Sequence, residues 1–317
     1  MSGAPSAPPP GRDVAGRDMA SREPVRRTKL LADIDVATMA GLEIGALDRP
    51  IVAPGEGNIR FADYRDQATL RREYSADPTV DPQRIVAVDF VLGAQSLTEL
   101  IPSDVRFDYI VASHVIEHVP DVVGWLQETS RLLAPGGRLC LAIPDKRYSF
   151  DYLGAVSTPG DFLDAYLNRR RAPSVKQVYD FLRTAAHVNP ARAWLGPIDP
   201  RRLRRWATPE AALQACRGLQ AGQPIEVHCF LFTPHSFLAL FDELVIHRLT
   251  DFRIARFWDT APLELEFFVT LEKLERPDET LQRASIPRLR DRVPLRRLLG
   301  ALAVKAARRL RRGRTAR

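Results

Sequence analysis

Long apolar runs are missing from this 317-residue chain. None approaches the roughly 20 consecutive apolar residues that a membrane-crossing helix needs. No secretory-type hydrophobic segment opens the sequence either, so a cytoplasmic protein is expected. Cysteine is scarce. Cys140, Cys216 and Cys229 are the three, too widely spaced for a Cys-x-x-Cys ligand pair or a paired framework, and they read as reduced, buried thiols. No internal repeat is visible. A basic body is also lacking, although the net charge is +7. Residues 288–317 hold eleven Arg and one Lys against one Asp, a balance of +11 that leaves the rest of the chain at −4. Slightly acidic elsewhere, the chain offers no basic face for nucleic acid, so no nucleic-acid partner is expected.

What is present suits a globular protein. Apolar residues make up 45% and charged residues 27%, enough for one large α/β domain carrying an insertion. Residues 1–26 are rich in Pro, Gly, Ala, Ser and Arg, and are expected to be a disordered tail. Structure is expected to begin near Thr28, with Leu30, Leu31 and Ile34 at helical spacing. Strands are expected at 40–45, 58–62, 84–90, 107–112 and 138–143, with a polar helix at 67–75. Asp121 reads as the N-cap of a helix carrying Val122, Trp125, Leu126, Thr129, Leu132 and Leu133 on one face. Pro135-Gly136-Gly137 ends it. Residues 146–223 break this rhythm and read as a helical insertion punctuated by Pro173, Pro190, Pro197, Pro200 and Pro209. A helix starting at Thr233-Pro234 and two closing strands, 252–258 and 263–271, complete a domain over 27–287. Alternating strands and helices predict a doubly wound, mostly parallel sheet with an antiparallel closing pair.

Several polar residues fall where such a sheet binds ligands, outside the carboxyl ends of its strands. Glu43-Ile44-Gly45-Ala46-Leu47-Asp48-Arg49 runs out of the end of the first strand, Asp63 follows the second, Asp89 lies at the end of the third, and Ser113-His114 follow the fourth. Asp145, Lys146 and Arg147 follow the fifth strand and suit an acidic or hydroxyl-rich ligand. His228 and His235 occupy a later apolar segment. His114-Val115-Ile116-Glu117-His118 spells H-x-x-E-H, an inverted zinc-protease pattern. That motif needs a continuous helix, and Pro120 and the cap at Asp121 oppose one. No metal ligand set is therefore expected, and His118 reads as structural.

The segment FDYIVASHVIEHVPDVVGWLQETSRLLAPGGRLCLAIPD at 107–145 resembles the class I methyltransferase family, and the likeness extends back to Leu42. It implies a Rossmann-like α/β fold and S-adenosyl-L-methionine as cofactor. By the same resemblance, Glu43, Gly45, Asp63, Asp89 and Ser113 are the expected cofactor-binding residues. Asp63 would accept hydrogen bonds from ribose hydroxyls, and Asp89 would meet the adenine amino group. Leu47 and Arg49 stand where the family has glycines. His114 is the candidate base for an accepting hydroxyl or amine, because imidazole titrates near neutrality; His228 is a second. The segments IPDKRYSFDYL and HCFLFTPHSF are similar to methyltransferases of bacterial surface-polysaccharide synthesis, which implies a sugar of a glycan or glycolipid as acceptor. A non-catalytic methyltransferase-like scaffold and, further off, a zinc hydrolase are the competing readings. In the C-terminal tail, Leu295, Leu298, Leu299, Leu302, Ala306 and Leu310 share one helical face. Arg296, Arg297, Lys305, Arg308 and Arg312 lie mostly opposite, a pattern suited to peripheral contact with an anionic membrane.

Overall fold

The computed structural model describes residues 19–289. Its centre is a seven-stranded mixed sheet in the order β3-β2-β1-β4-β5-β7-β6. The strands are β1 (Ala40–Ile44), β2 (Asn58–Asp63), β3 (Phe90–Val91), β4 (Phe107–Ser113), β5 (Leu133–Pro144), β6 (Phe252–Trp258) and β7 (Glu266–Lys273). Strands β1 to β5 pair in parallel, whereas β7 runs antiparallel to both β5 and β6. This is the doubly wound sheet with an antiparallel closing pair that the sequence predicts.

Strand periodicity of two sorts the core into two layers. Tyr109 and Val111 on β4, Cys140 and Ala142 on β5, and Phe268 on β7 face one side. Leu30 of helix α1 (Met19–Leu30) and the loop residues Ile51 and Val52 cover them. Ile110 and Ala112, Leu139, Leu141 and Ile143, and Phe267 and Val269 face the other side. There they meet α4 (Val122–Leu132), α5 (Pro159–Leu167) and α9 (Pro234–Ile246). The N-caps behave as their residue types require. Asp121 accepts from Gly124 N at 2.9 Å, and the Thr233 hydroxyl accepts from Ser236 N at 3.1 Å.

The inserted region is helical, as expected: α5 is followed by α6 (Val175–Thr184), α7 (Pro190–Trp194) and α8 (Pro209–Gln220). Pro159, Pro190 and Pro209 each sit in a first turn, where a missing N–H costs nothing. The shorter helices α2 (Gln67–Glu73), α3 (Leu97–Leu100) and α10 (Glu279–Ala284) complete the set among the described residues. None of the described helices is long and apolar enough to cross a membrane. All three cysteines are free and buried.

Three expectations need correction. Helix α1 begins at Met19, inside the segment expected to be disordered, and ends at Leu30 rather than continuing through Ile34. Its ordering comes from distant partners, which local composition does not reveal. The strand expected at 84–90 is instead a 3-10 turn at Pro82–Arg84, an extended stretch, and only two residues of β3. Pro82 starts that turn, and Ile85 and Val86 are buried by packing that needs no ladder. Finally, β5 starts at Leu133 and includes the Pro-Gly-Gly sequence, with Leu133 already paired to Phe107. Of the tails, 1–18 and the amphipathic pattern over 290–317 lie outside the described residues.

Candidate active site

The carboxyl ends of β1, β2 and β4 are adjacent in the sheet, at the edge where a parallel sheet of this kind has its ligand crevice. Gly45 leaves β1 with φ +70, and an added Cβ would stand 2.9 Å from Val115 Cγ2. Glycine is required there on both counts. Leu47, in a position where the resemblance implies a glycine, has φ +49. The loop therefore follows a glycine-type path although its residue is not glycine. Packing holds it there, because Leu47 is buried against Leu70, Val80 and Ile85. Arg49, the other non-glycine, reaches away and donates to Thr79 O at 3.2 Å.

Glu43 is buried on the same sheet face as Val111. Its carboxylate accepts from Ile51 N at 2.8 Å and from Val52 N at 3.1 Å. Burial pushes its pKa up to about 7, against the opposing pull of those two N–H groups. Glu43 thus closes the loop that returns from β1. Asp63 ends β2, nearly buried, with its Oδ1 accepting from Tyr64 N at 2.7 Å. Burial raises its pKa to about 7; the Tyr64 N–H opposes this and the Glu226 carboxylate adds to it. A carboxylate with so few partners inside a crevice is suited to hydroxyl donors.

Asp89 is placed differently from expectation. It precedes β3 instead of ending it, because the strand begins one residue later, and it is largely exposed. Its Oδ2 accepts from Phe61 N at 2.8 Å and its Oδ1 lies 3.7 Å from Arg60. The side chain braces the β2 edge, and the carboxyl end of β3 belongs to Leu92 and Gly93.

Ser113 ends β4 and His114 directly follows it. The Ser113 hydroxyl accepts a hydrogen bond from Arg26 of α1. His114 adopts φ +56, and both of its ring nitrogens are engaged. Nε2 lies 2.7 Å from Glu266 Oε2, and Nδ1 lies 3.5 Å from Glu117 Oε1. Arg26 Nε closes the chain of charges at 3.2 Å from Glu266 Oε1. Burial opposes a charge on His114, but the two carboxylates outweigh it and raise the pKa to about 9. The ring is therefore an imidazolium with neither nitrogen free to take a proton. That arrangement fits a positioning and electrostatic part better than the part of a base. Arg26 and Glu266 carry no signal in the sequence: one falls in a Pro/Arg-rich stretch and the other in an apolar strand.

Asp145, Lys146 and Arg147 largely satisfy one another and their surroundings. Arg147 forks onto Asp145 at 2.9 and 2.6 Å, Thr260 donates to Asp145 at 2.7 Å, and Lys146 donates to Tyr152 O at 3.0 Å. Phe232 forms a bridge with Asp145, and His228 Nδ1 lies 2.8 Å from Asp151 Oδ2. The two segments IPDKRYSFDYL and HCFLFTPHSF, far apart in sequence, are thereby brought into contact. His228 is buried and lies in irregular backbone, whereas His235 is exposed on the first turn of α9.

The H-x-x-E-H residues 114–118 form a turn, not a helix, so His114 and His118 do not share a helical face. Instead, the fold gathers Glu117, His118 and His228, whose ligand-type atoms all lie within 4.8 Å of one another. Sequence spacing predicts no metal ligands; only the approach of the 226–230 segment to this turn creates the group. A separate surface hollow lined by Leu238, Asp242 and Arg283 shares no residue with this site.

A parallel-rich sheet with its polar side chains gathered at the strands' carboxyl ends defines an α/β protein that takes its ligand there. A family model described as a methyltransferase domain matches residues 20–244, and the chain belongs to that family and is an enzyme of its class. No curated protein sequence matches. Among solved structures, the chain is similar to a protein of Rhodobacter sphaeroides described as a Zn-dependent alcohol dehydrogenase, with 13% identity, 78% of this chain and 89% of that one covered, and a TM-score of 0.44. It is also similar to an S-adenosylmethionine-dependent methyltransferase of Mesorhizobium loti, with 15% identity, 81% and 99% covered, and a TM-score of 0.42. A third is the CcbJ methyltransferase of Streptomyces caelestis, with 11% identity, 86% and 93% covered, and a TM-score of 0.40. Family membership rests on the domain match, not on these likenesses.

Proposed function

We propose that the protein transfers a methyl group from S-adenosylmethionine to a hydroxyl of a glycan or glycolipid sugar. The observation that carries this reading is the convergence of Gly45, Asp63 and Ser113 at the carboxyl ends of β1, β2 and β4 in a methyltransferase-family chain. The residues fit the cofactor. Positive φ at both Gly45 and Leu47 keeps the first loop open along a glycine-type path. The buried Asp63 carboxylate is matched to a pair of ribose hydroxyls. Glu43 holds the loop from beneath through Ile51 and Val52. When bound, the cofactor supplies an activated sulfonium methyl. The protein's part is to orient the acceptor and to remove water from its path. The acceptor oxygen would gain the methyl and release its proton to bulk solvent, and the engaged ring of His114 serves as a fixed positive charge at the edge of the crevice.

The sugar acceptor is supported by the two segments similar to polysaccharide methyltransferases, which pack together through Asp145–Phe232 and Asp151–His228. Calorimetric titration with S-adenosylmethionine and S-adenosylhomocysteine tests the cofactor. Micromolar affinity, about −8 kcal/mol, is the expected result. No binding by folded protein would move the assignment to a scaffold. The amphipathic tail supports peripheral attachment to anionic membrane, which would bring the enzyme to a lipid-linked acceptor. Cosedimentation with anionic liposomes reads this out: a chain ending before Arg288 should fail to pellet, and equal pelleting would reject the attachment.

A further inference from the structure

Glu117 is 0% exposed, and neither carboxylate oxygen has a hydrogen-bond partner among the described residues. A buried carboxylate without hydrogen bonds is costly, and such a group calls for a specific cause. His114 Nδ1, at 3.5 Å, lies at the outer limit of contact and is already committed through its other nitrogen to Glu266. Two further imidazoles, those of His118 and His228, bring ligand-type atoms within 4.8 Å of the Glu117 carboxylate. His118 Nδ1 is likewise buried and without a hydrogen bond among the described residues; the half-exposed Glu226 approaches it only to 3.4 Å. The rings of His118 and His228 meet edge to face at 4.6 Å. Asp151, almost fully buried, accepts from His228 Nδ1 at 2.8 Å and so leaves Nε2 as that ring's free nitrogen. The backbone locks the group: Cys229 N and Phe230 N both donate to Glu117 O, at 2.7 and 3.2 Å. Phe150 and Phe181 flank the His228 ring at 4.8 and 5.4 Å, which keeps the surroundings apolar.

We propose that Glu117, His118 and His228 bind a first-row divalent cation such as zinc, with Asp151 orienting His228 from behind. Two imidazoles and one carboxylate form a donor set that such ions favour over magnesium or calcium. A carboxylate on the far nitrogen of a ligating histidine fixes its tautomer and raises its basicity. The cation supplies a direct ligand contact for carboxylate oxygens that otherwise have no hydrogen-bond partner among the described residues. Three protein ligands leave a coordination position open. The site lies on the turn that follows β4, where Glu117 is also 3.5 Å from His114 Nδ1. This assignment uses His118 and Glu117 of the H-x-x-E-H sequence but not His114. It also stands independently of the proposed acceptor.

The test is metal content, read without any activity assay. Tag-free full-length protein is equilibrated with ZnCl2, dialysed, and measured by elemental analysis alongside its thermal midpoint. The wild type should retain about one zinc per chain and melt at higher temperature with zinc than after chelation. His118→Gln and His228→Gln should lose the ion, and His114→Ala should keep it. Glu117→Gln keeps the falsifying power if the histidine variants fail to fold, because it removes the buried charge. It should fold without zinc, melt no lower than the chelated wild type, and show no zinc-dependent rise. Folded wild type that retains no zinc would overturn the site, as would full retention by the Glu117→Gln or His228→Gln variants. If Glu117→Gln melts below the chelated wild type and its zinc response is unchanged, Glu117 is only the ion partner of His114, and the proposal fails.

Discussion

Glu266, the first residue of β7, lies 2.7 Å from the ring of His114, which directly follows β4. This contact ties the antiparallel closing pair to the turn that carries the candidate site, and Arg26 of α1 joins it from the other flank. Burial alone would raise the Glu266 pKa, but Arg26 and His114 overcome it and depress the value to about 2. The unfolded carboxyl titrates near 4.5. The stabilisation is therefore fully present above pH 4.5 and is lost as pH falls through about 2. Its size is roughly 3 kcal/mol at neutral pH. Glu266→Gln should lower denaturant stability at pH 7 by about that amount and flatten the acid limb of the stability curve. An unchanged acid limb would show that the pair contributes nothing.

Glu43 carries the opposite sign. Its folded pKa is raised to about 7 from 4.5 because burial favours the neutral form. The fold binds the proton more tightly than the unfolded chain does. Stability therefore falls as pH rises from 4.5 toward 7, by roughly 3 kcal/mol. Glu43→Gln should abolish this decline, and the two proteins' curves measured between pH 5 and 8 (a range set by that pKa, about 7) should diverge most at the upper end, where the wild-type carboxyl must ionise. Parallel curves would reject the raised pKa.

Cofactor binding should depend on the charge of Asp63. Its pKa of about 7 reflects burial together with the Glu226 and Glu73 carboxylates, offset by the backbone N–H groups of Tyr64 and Arg65. Ribose hydroxyls donate best to the ionised form, so the Kd for S-adenosylmethionine should rise as pH falls below about 7. Asp63→Ala should cost about 1.5–3 kcal/mol, roughly 10- to 150-fold in Kd, and remove the pH dependence. Calorimetry over this range measures both.

Leu47 offers a test of the loop's backbone. Truncation to Ala removes its packing against Leu70, Val80 and Ile85 and should cost about 2–5 kcal/mol. Glycine loses the same contacts but accepts φ +49 without strain. Leu47→Gly should therefore be more stable than Leu47→Ala by about 1 kcal/mol, the reverse of the usual order. Urea unfolding of the two variants decides it, and a less stable glycine variant would show that the left-handed conformation carries no strain.

Hydrophobic periodicity and turn chemistry made most of the fold legible. Helix α4 with its Asp121 cap, α9 behind Thr233-Pro234, and β6 over 252–258 all appear where local pattern places them. Those signals are short-range: a capping carboxylate meets an N–H three residues on, and a helical face repeats within one turn. Strand β3 was not legible in the same way. Ile85, Val86 and Val88 are apolar because they pack against Leu47 and Phe61, and an apolar run does not by itself report a hydrogen-bonded ladder.

The site divides along the same line. Local pattern placed Glu43, Gly45, Asp63, Ser113 and His114 at strand ends, because a parallel sheet brings every carboxyl end to one edge. What each side chain does there was decided by tertiary structure. Glu43 turned to a returning loop, Asp89 fell before its strand, and His114 was clamped by Glu117 and by Glu266 from a strand 152 positions away. The grouping of Glu117 and His118 with His228 arises only when the 226–230 segment docks on the turn after β4. The amino-acid sequence by itself determined which elements form and which chemical groups they carry, since those depend on neighbours a few residues apart. Which groups meet, and hence which are charged, buried or left without a partner, depends on contacts between segments that lie from eight to more than a hundred residues apart, and only packing of the whole sheet sets those.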